Sequence, residues 1–210
     1  MPTDRSSRPT PFMRHGPWWP GVVLLFGICL ALLASGLNTE NLRMAIRATA
    51  RLSLVFFLMA YTAGAVWQLR PGPASAWVRR HRRQWGLLFV ASHTVHLVCI
   101  LLLRRVDPAL FHTLVPAATV VTGALAYAVL WAMGASSHDR VAAVMGKVVW
   151  ARLHLWGSHY LWLSFAVAYG KRALMDPVYT IPMLLLLLAA SLRVWCAVVH
   201  RTSSVPSRSG

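Results

Sequence analysis

The chain has 210 residues, of which 57% are hydrophobic and 12% charged, and its formal net charge is +16. A soluble domain would carry roughly 25% charged residues, so this balance excludes an ordinary water-soluble fold. The positive charge does not point to nucleic acid, because no stretch between the apolar blocks is long enough to build a nucleic-acid-binding domain; membrane topology and anionic headgroups account for it.

In chain order, residues 1–19 are rich in Ser, Pro and Arg and are expected to be a disordered basic tail. A first span follows at Pro20–Leu37. A basic stretch before an apolar one superficially fits a signal peptide, but Ala-Ser-Gly after a long span, with more spans behind it, fits an uncleaved first helix better. The second span is expected at Thr49–Gln68. Arg43, Arg47 and Arg51 recur every four residues at its start and share one helical face. Arg51 lies about one turn inside the hydrocarbon, where it either snorkels to headgroups or pairs with a buried carboxylate.

The third span, Gln84–Leu103, is preceded by the densest basic cluster, VRRHRR at Val78–Arg83, and carries His93 and His96 near its middle. The fourth is Thr113–Met133, followed by Ser-Ser-His-Asp-Arg, whose Asp139 is expected to cap a short helix leading to Trp150. The fifth, Val149–Tyr169, carries His154 and His159, and the sixth is Val178–Val199. Residues 200–210 are expected to be a second disordered tail. Each span has about 18 to 22 residues, enough to cross roughly 30 Å of hydrocarbon. The expected fold is therefore all-α, a bundle of six transmembrane helices over residues 20–199.

Lys and Arg set the orientation. Twelve fall in the segments that are cytoplasmic if both termini are inside, and six in the outer loops. Trp18, Trp19, Trp67, Trp77, Trp85 and Trp150 lie near span ends, where an indole can be half wet. Trp131, Trp156 and Trp162 lie deeper. Cys29, Cys99 and Cys196 each sit in an apolar block without metal-ligand spacing and read as buried packing.

The four histidines in the third and fifth spans are the candidate site. An ionisable residue in mid-membrane is costly and by default marks function. Two parallel spans carrying imidazoles suggest a metal or haem between helices, whereas the plainer reading is hydrogen bonding between helices. Counting from the inner span ends at 1.5 Å per residue puts His93 and His96 within roughly 3 Å of the depth of His159, with His154 about 10 Å shallower than His96. His154 and His159 project about 140° apart and cannot share one tight site. Counting thus favours His96 or His93 opposite His159. Arg51 would then meet a haem propionate. No paired carboxylates, Ser/His/Asp grouping or Gly-rich phosphate loop supports hydrolytic chemistry.

Three segments resemble the ferric reductase-like transmembrane domain family, nearest to the haem-binding membrane subunit of bacterial methionine sulfoxide reductase systems. They are RRQWGLLFVASHTVH at Arg82–His96, ASSHDRVAAVMGKVVWARLH at Ala135–His154, and, less closely, RATARLSLVFFLMAYTAG at Arg47–Gly64. The resemblance covers about residues 45 to 200 and puts carried-over haem ligands on His96 and His154, so His154 and His159 both stay open as the partner of His96. Where the family often has a second histidine thirteen residues on, this chain has Val167, which implies one haem b rather than a two-haem stack. The iron ligands expected are thus among His96, His154 and His159.

The function expected is electron transfer across the bacterial inner membrane to a periplasmic or extracytoplasmic acceptor, as the membrane subunit of a ferric reductase-like oxidoreductase. A separate reductase or quinol would supply electrons, and a periplasmic oxidoreductase could be the partner. The basic loop Arg79–Arg83 could dock an acidic donor or a flavin phosphate. The alternatives are a cytochrome b561-type subunit without its own substrate, and a haem-free membrane scaffold or permease.

Overall fold

The computed structural model describes residues 16–203. The tails expected to be disordered fall mostly outside that range; where they enter it, the chain is helical from Trp18 and again as far as Ser203. The described residues form α1 (Trp18–Ser35), α2 (Thr39–Leu69), α3 (Pro73–Arg80), α4 (Arg82–Val106), α5 (Pro108–Leu114), α6 (Ala117–Ala135), α7 (Asp139–Met145), α8 (Lys147–Ala173) and α9 (Thr180–Ser203), with a 3-10 turn at Pro177–Tyr179 before α9. No strand occurs among them.

Four helical segments are long and apolar enough to cross a bilayer: Thr39–Leu69, Arg82–Val106, Ala117–Ala135 and Pro177–Val199. The chain is a membrane protein. Helix α1 covers the first expected span, but its described apolar stretch, Trp18–Leu32, is shorter than these four. Helix α8 has ample length at 27 residues, yet it mixes Arg152, His154, Gly157, Ser158 and His159 into its middle. The outer faces are apolar: Val121 and Trp156 are each 70% exposed and Leu188 64%. Such a band would be costly in water and suits contact with lipid.

Short-range chemistry makes the reversals. Gly36, at φ 86°, ends α1 in a conformation a side chain would resist. Asn38 then caps α2 by accepting from the Asn41 N–H at 2.9 Å, while the Asn41 amide donates to the Ser35 and Gly36 carbonyls. Asp107 ends α4 and caps α5, accepting from the Leu110 N–H at 3.0 Å. Gly146, at φ 78°, separates α7 from α8. Asp139 does not cap α7 as expected: His138 holds the cap position, and Asp139 is the first helical residue. Its carboxylate instead meets Arg83 at 2.9 Å, tying α7 to the start of α4.

The closest seam joins α2 and α4, which run antiparallel. Small residues line it: Thr49, Ser53 and Ser92 are fully buried, and the Ser53 hydroxyl donates to Ser92 Oγ at 3.0 Å. Such residues let helices approach when lipid supplies no hydrophobic drive between them. Further along, Phe57 packs on Phe89 and Phe165 with ring centroids 5.3 Å apart in both cases, joining α2, α4 and α8. Helix α6 closes on α8 where Gly157 faces Met133 and Val129. The end of the bundle with Arg79–Arg83 is its basic end, and the end with Asp107 and Asp176 its far end.

Candidate functional site

The seam fixes His96 from behind. Its Nδ1 lies 3.1 Å from the Ile46 carbonyl and 3.1 Å from Thr49 Oγ, both on α2. The Thr49 hydroxyl spends its own hydrogen on the Ala45 carbonyl at 2.7 Å. A carbonyl oxygen only accepts, so Nδ1 carries the hydrogen and Nε2 keeps a lone pair. A bond of this kind, made by the nitrogen that does not ligate, holds a ligating imidazole in one orientation and tautomer.

His93 sits one turn nearer the basic end. Its ring stacks on His96 and on Tyr127 of α6, with centroids 5.1 Å away in each case, and meets the edge of Phe165 of α8 at 5.5 Å. The Tyr127 hydroxyl donates to the His93 carbonyl at 3.2 Å. Within this aromatic cage His93 Nδ1 is buried without a hydrogen-bond partner among the described residues, and so is the Tyr169 hydroxyl one turn beyond Phe165 on α8. Buried polar atoms are normally satisfied. Arg172 lies within electrostatic reach of both His96 and Tyr169, and Arg51 within reach of Tyr169. Arg43, Arg47 and Arg51 do share one exposed face of α2.

The α8 histidines go elsewhere. His159 Nδ1 shares a 3.2 Å hydrogen bond with the Tyr61 hydroxyl of α2. His154 Nε2 lies 3.0 Å from Ser136 Oγ at the end of α6, and its ring stacks on Trp150 at 4.3 Å. The Trp150 indole donates to the Ser136 carbonyl at 3.0 Å, so this corner is closed. Counting from span ends had put His159 level with His96. The contact of Phe165 with both Phe89 and His93 overturns that. His159 is six residues from Phe165 toward the basic end, about 9 Å, and His96 is one turn from His93 toward the far end, so the two imidazoles are offset by about 14 Å along the bundle. Equal counts do not mean equal depth here, because packing on α2 and α6 sets the height of α8.

His96, His154 and His159 therefore do not converge, and no group of three or more His, Cys, Asp or Glu side chains does so among the described residues. Sequence reasoning missed Tyr61, Thr49, Tyr127, Tyr169 and Arg193. Only Arg193 carried a signal of its own: it is an arginine inside the Val178–Val199 span, where a cation is at least as costly as the histidines elsewhere. The aromatic and hydroxyl residues gain meaning only through their neighbours.

No protein-family model matches the chain, and no curated protein and no solved structure does either. The likeness to the ferric reductase-like domain thus rests on the three sequence segments quoted above.

Proposed function

We propose that the chain is a six-span protein of the bacterial inner membrane, with both termini cytoplasmic, that binds one haem b and carries electrons to an extracytoplasmic acceptor. The observation that carries this reading is His96: an imidazole in mid-span whose Nδ1 is held by the Ile46 carbonyl, leaving Nε2 as a ready ligand. The neighbouring chemistry suits a haem. His93 and Phe165 offer aromatic surface beside it, and Arg51 and Arg172 are cations that carboxylates of a propionate type would need in low dielectric. A bound haem would supply one-electron chemistry, and the surrounding side chains would tune its potential.

The electron donor in this reading is a separate reductase or quinol at the cytoplasmic face, where Arg79–Arg83 would meet an acidic donor or a flavin phosphate. A periplasmic oxidoreductase is the proposed partner on the other side. A second axial imidazole from His159 would need α8 to slide by about 14 Å, and one from His154 further still, besides release from Tyr61 or Ser136. A haem-free scaffold is the competing reading, favoured by the fact that His96, His154 and His159 each already bond across a helix–helix contact.

The test is a reduced-minus-oxidised visible spectrum of the detergent-purified protein, expressed with ample haem. A b-type band that His96→Ala abolishes is the expected result. Loss of a low-spin band in His159→Ala or His154→Ala as well would name the second ligand; a band unchanged in both means that α8 supplies no imidazole ligand. A colourless wild type would overturn the haem reading in favour of the scaffold.

A further inference from the structure

Nearer the basic end, two guanidiniums meet on one stretch of α2. Arg82, the first residue of α4, donates through Nε to the Ala60 carbonyl at 3.1 Å. Arg193, ten residues before the end of α9, donates through Nη1 to the Tyr61 carbonyl at 3.4 Å and lies over the Tyr61 ring, 4.1 Å from its centroid. Ala60 and Tyr61 are consecutive, so the two side chains reach carbonyls one residue apart, about 100° round α2 from each other. His159 completes the cluster through its bond to the Tyr61 hydroxyl.

Two like charges side by side repel, and an arginine within a span is itself costly. A carboxylate would normally sit between them, but none of those on the described residues does. Asp139 pairs with Arg83, Asp107 caps α5 near Thr39, Asp176 caps the 3-10 turn, and Glu40 lies in the first turn of α2 at the far end. Each guanidinium spends one hydrogen bond on α2, leaving further N–H groups of the fork to face an oxyanion. Arg82 is exposed at the edge of the bundle and Arg193 is half-buried, so an anion could enter from the lipid or from the water beside it.

We propose that Arg82 and Arg193 form a phosphate site beside Tyr61, taking a phosphate group at the level of the membrane surface. Arginine forks match the geometry of phosphate oxygens in two-point contacts, and the anion converts the repulsion within the pair into attraction. The phosphate can belong to a phospholipid headgroup or to a soluble molecule. The site lies away from His96, so it stands or falls separately from the haem reading.

The test measures the thermal unfolding midpoint of the full chain in neutral detergent and chloride, followed by tryptophan fluorescence. Short-chain phosphatidylglycerol is titrated in one arm and inorganic phosphate in the other, at matched ionic strength. The midpoint is expected to rise in at least one arm, with affinity falling roughly tenfold or more in Arg82→Gln and in Arg193→Gln, as loss of a charge-assisted hydrogen bond implies, and unchanged in Arg140→Gln, at an exposed arginine of α7. A rise with the lipid alone assigns the site to a headgroup; a rise with both shows that the phosphate group suffices. Arg82→Gln keeps the test decisive even if Arg193→Gln does not fold, because Arg82 lies at the exposed edge. No rise in either arm, or a rise that Arg82→Gln leaves undiminished, overturns the proposal.

Discussion

At the scale of single residues, the seam between α2 and α4 decides the behaviour of His96. Thr49 supplies one acceptor to Nδ1 and Ile46 another, so Thr49→Val removes a partner without orphaning the ring. Interhelical hydrogen bonds in membranes average about 0.6 kcal/mol, and a loss near that size is expected for Thr49→Val in a chemical unfolding series in mixed micelles. Ser92→Ala acts differently. Ser92 accepts from Ser53 and donates to the Phe89 carbonyl at 3.1 Å, so its loss strands a fully buried hydroxyl on the opposite helix. A cost of about 1–2 kcal/mol is expected in the same series, larger than that of Thr49→Val. The reverse order would show that the serine pair carries little of the seam.

At the scale of elements, α6 and α8 meet through glycine. A Cβ on Gly157 would come within 2.6 Å of Met133 Sδ and 3.0 Å of Val129 Cγ1. The thioether can swing aside for a methyl group, since methionine is flexible, but not for a branched side chain with Val129 behind it. Gly157→Val is expected to lower stability by about 1–3 kcal/mol, read as a fall in unfolding midpoint, while Gly157→Ala costs less. The pair Gly157→Val with Met133→Ala should recover part of the loss; no recovery would place the clash elsewhere. The same packing fixes the height of α8, and with it the separation of His159 from His96. Hydropathy marked the α8 segment, Val149–Tyr169, but not its register, because an apolar face can slide along its neighbour until particular aromatic rings interlock, here Phe165 between Phe89 and His93.

At the scale of the whole molecule, the basic residues flanking the helices support the proposed orientation. Arg79, Arg80, Arg82 and Arg83 fall together at one end, and positive charge is retained on the cytoplasmic side. Ala74 on α3 and Ala109 on α5 are both exposed, at the basic and far ends respectively. In a cysteine-free background, Ala74→Cys and Ala109→Cys are expected to differ in labelling by a membrane-impermeant thiol reagent added to intact cells. The Ala109→Cys protein should react and the Ala74→Cys protein should not; the opposite pattern would invert the proposed topology. The exposed apolar band on α1, α6 and α9 predicts that the protein precipitates when detergent is removed without lipid, which light scattering would register.

Much of this molecule is legible in its sequence. The apolar blocks locate the long helices to within a few residues at most ends, because a bilayer requires a continuous apolar run and internally satisfied backbone groups. The start of α2 is the exception. It begins ten residues before the expected span, at Thr39, because the Asn38 cap and a run of helix formers carry it beyond the apolar core. The short helices α3 and α5 follow from Pro at their first turn rather than from hydropathy. The histidines stood out for their cost in lipid. Their partners did not, because those lie on other helices: Ile46 is 50 residues from His96, Tyr61 98 from His159 and Arg193 132 from Tyr61. Composition alone determined that the chain lives in a membrane as helices. Only the tertiary structure decided which imidazole nitrogen is free and which charges share a site, since both depend on how far each helix slides along its neighbour before side chains lock.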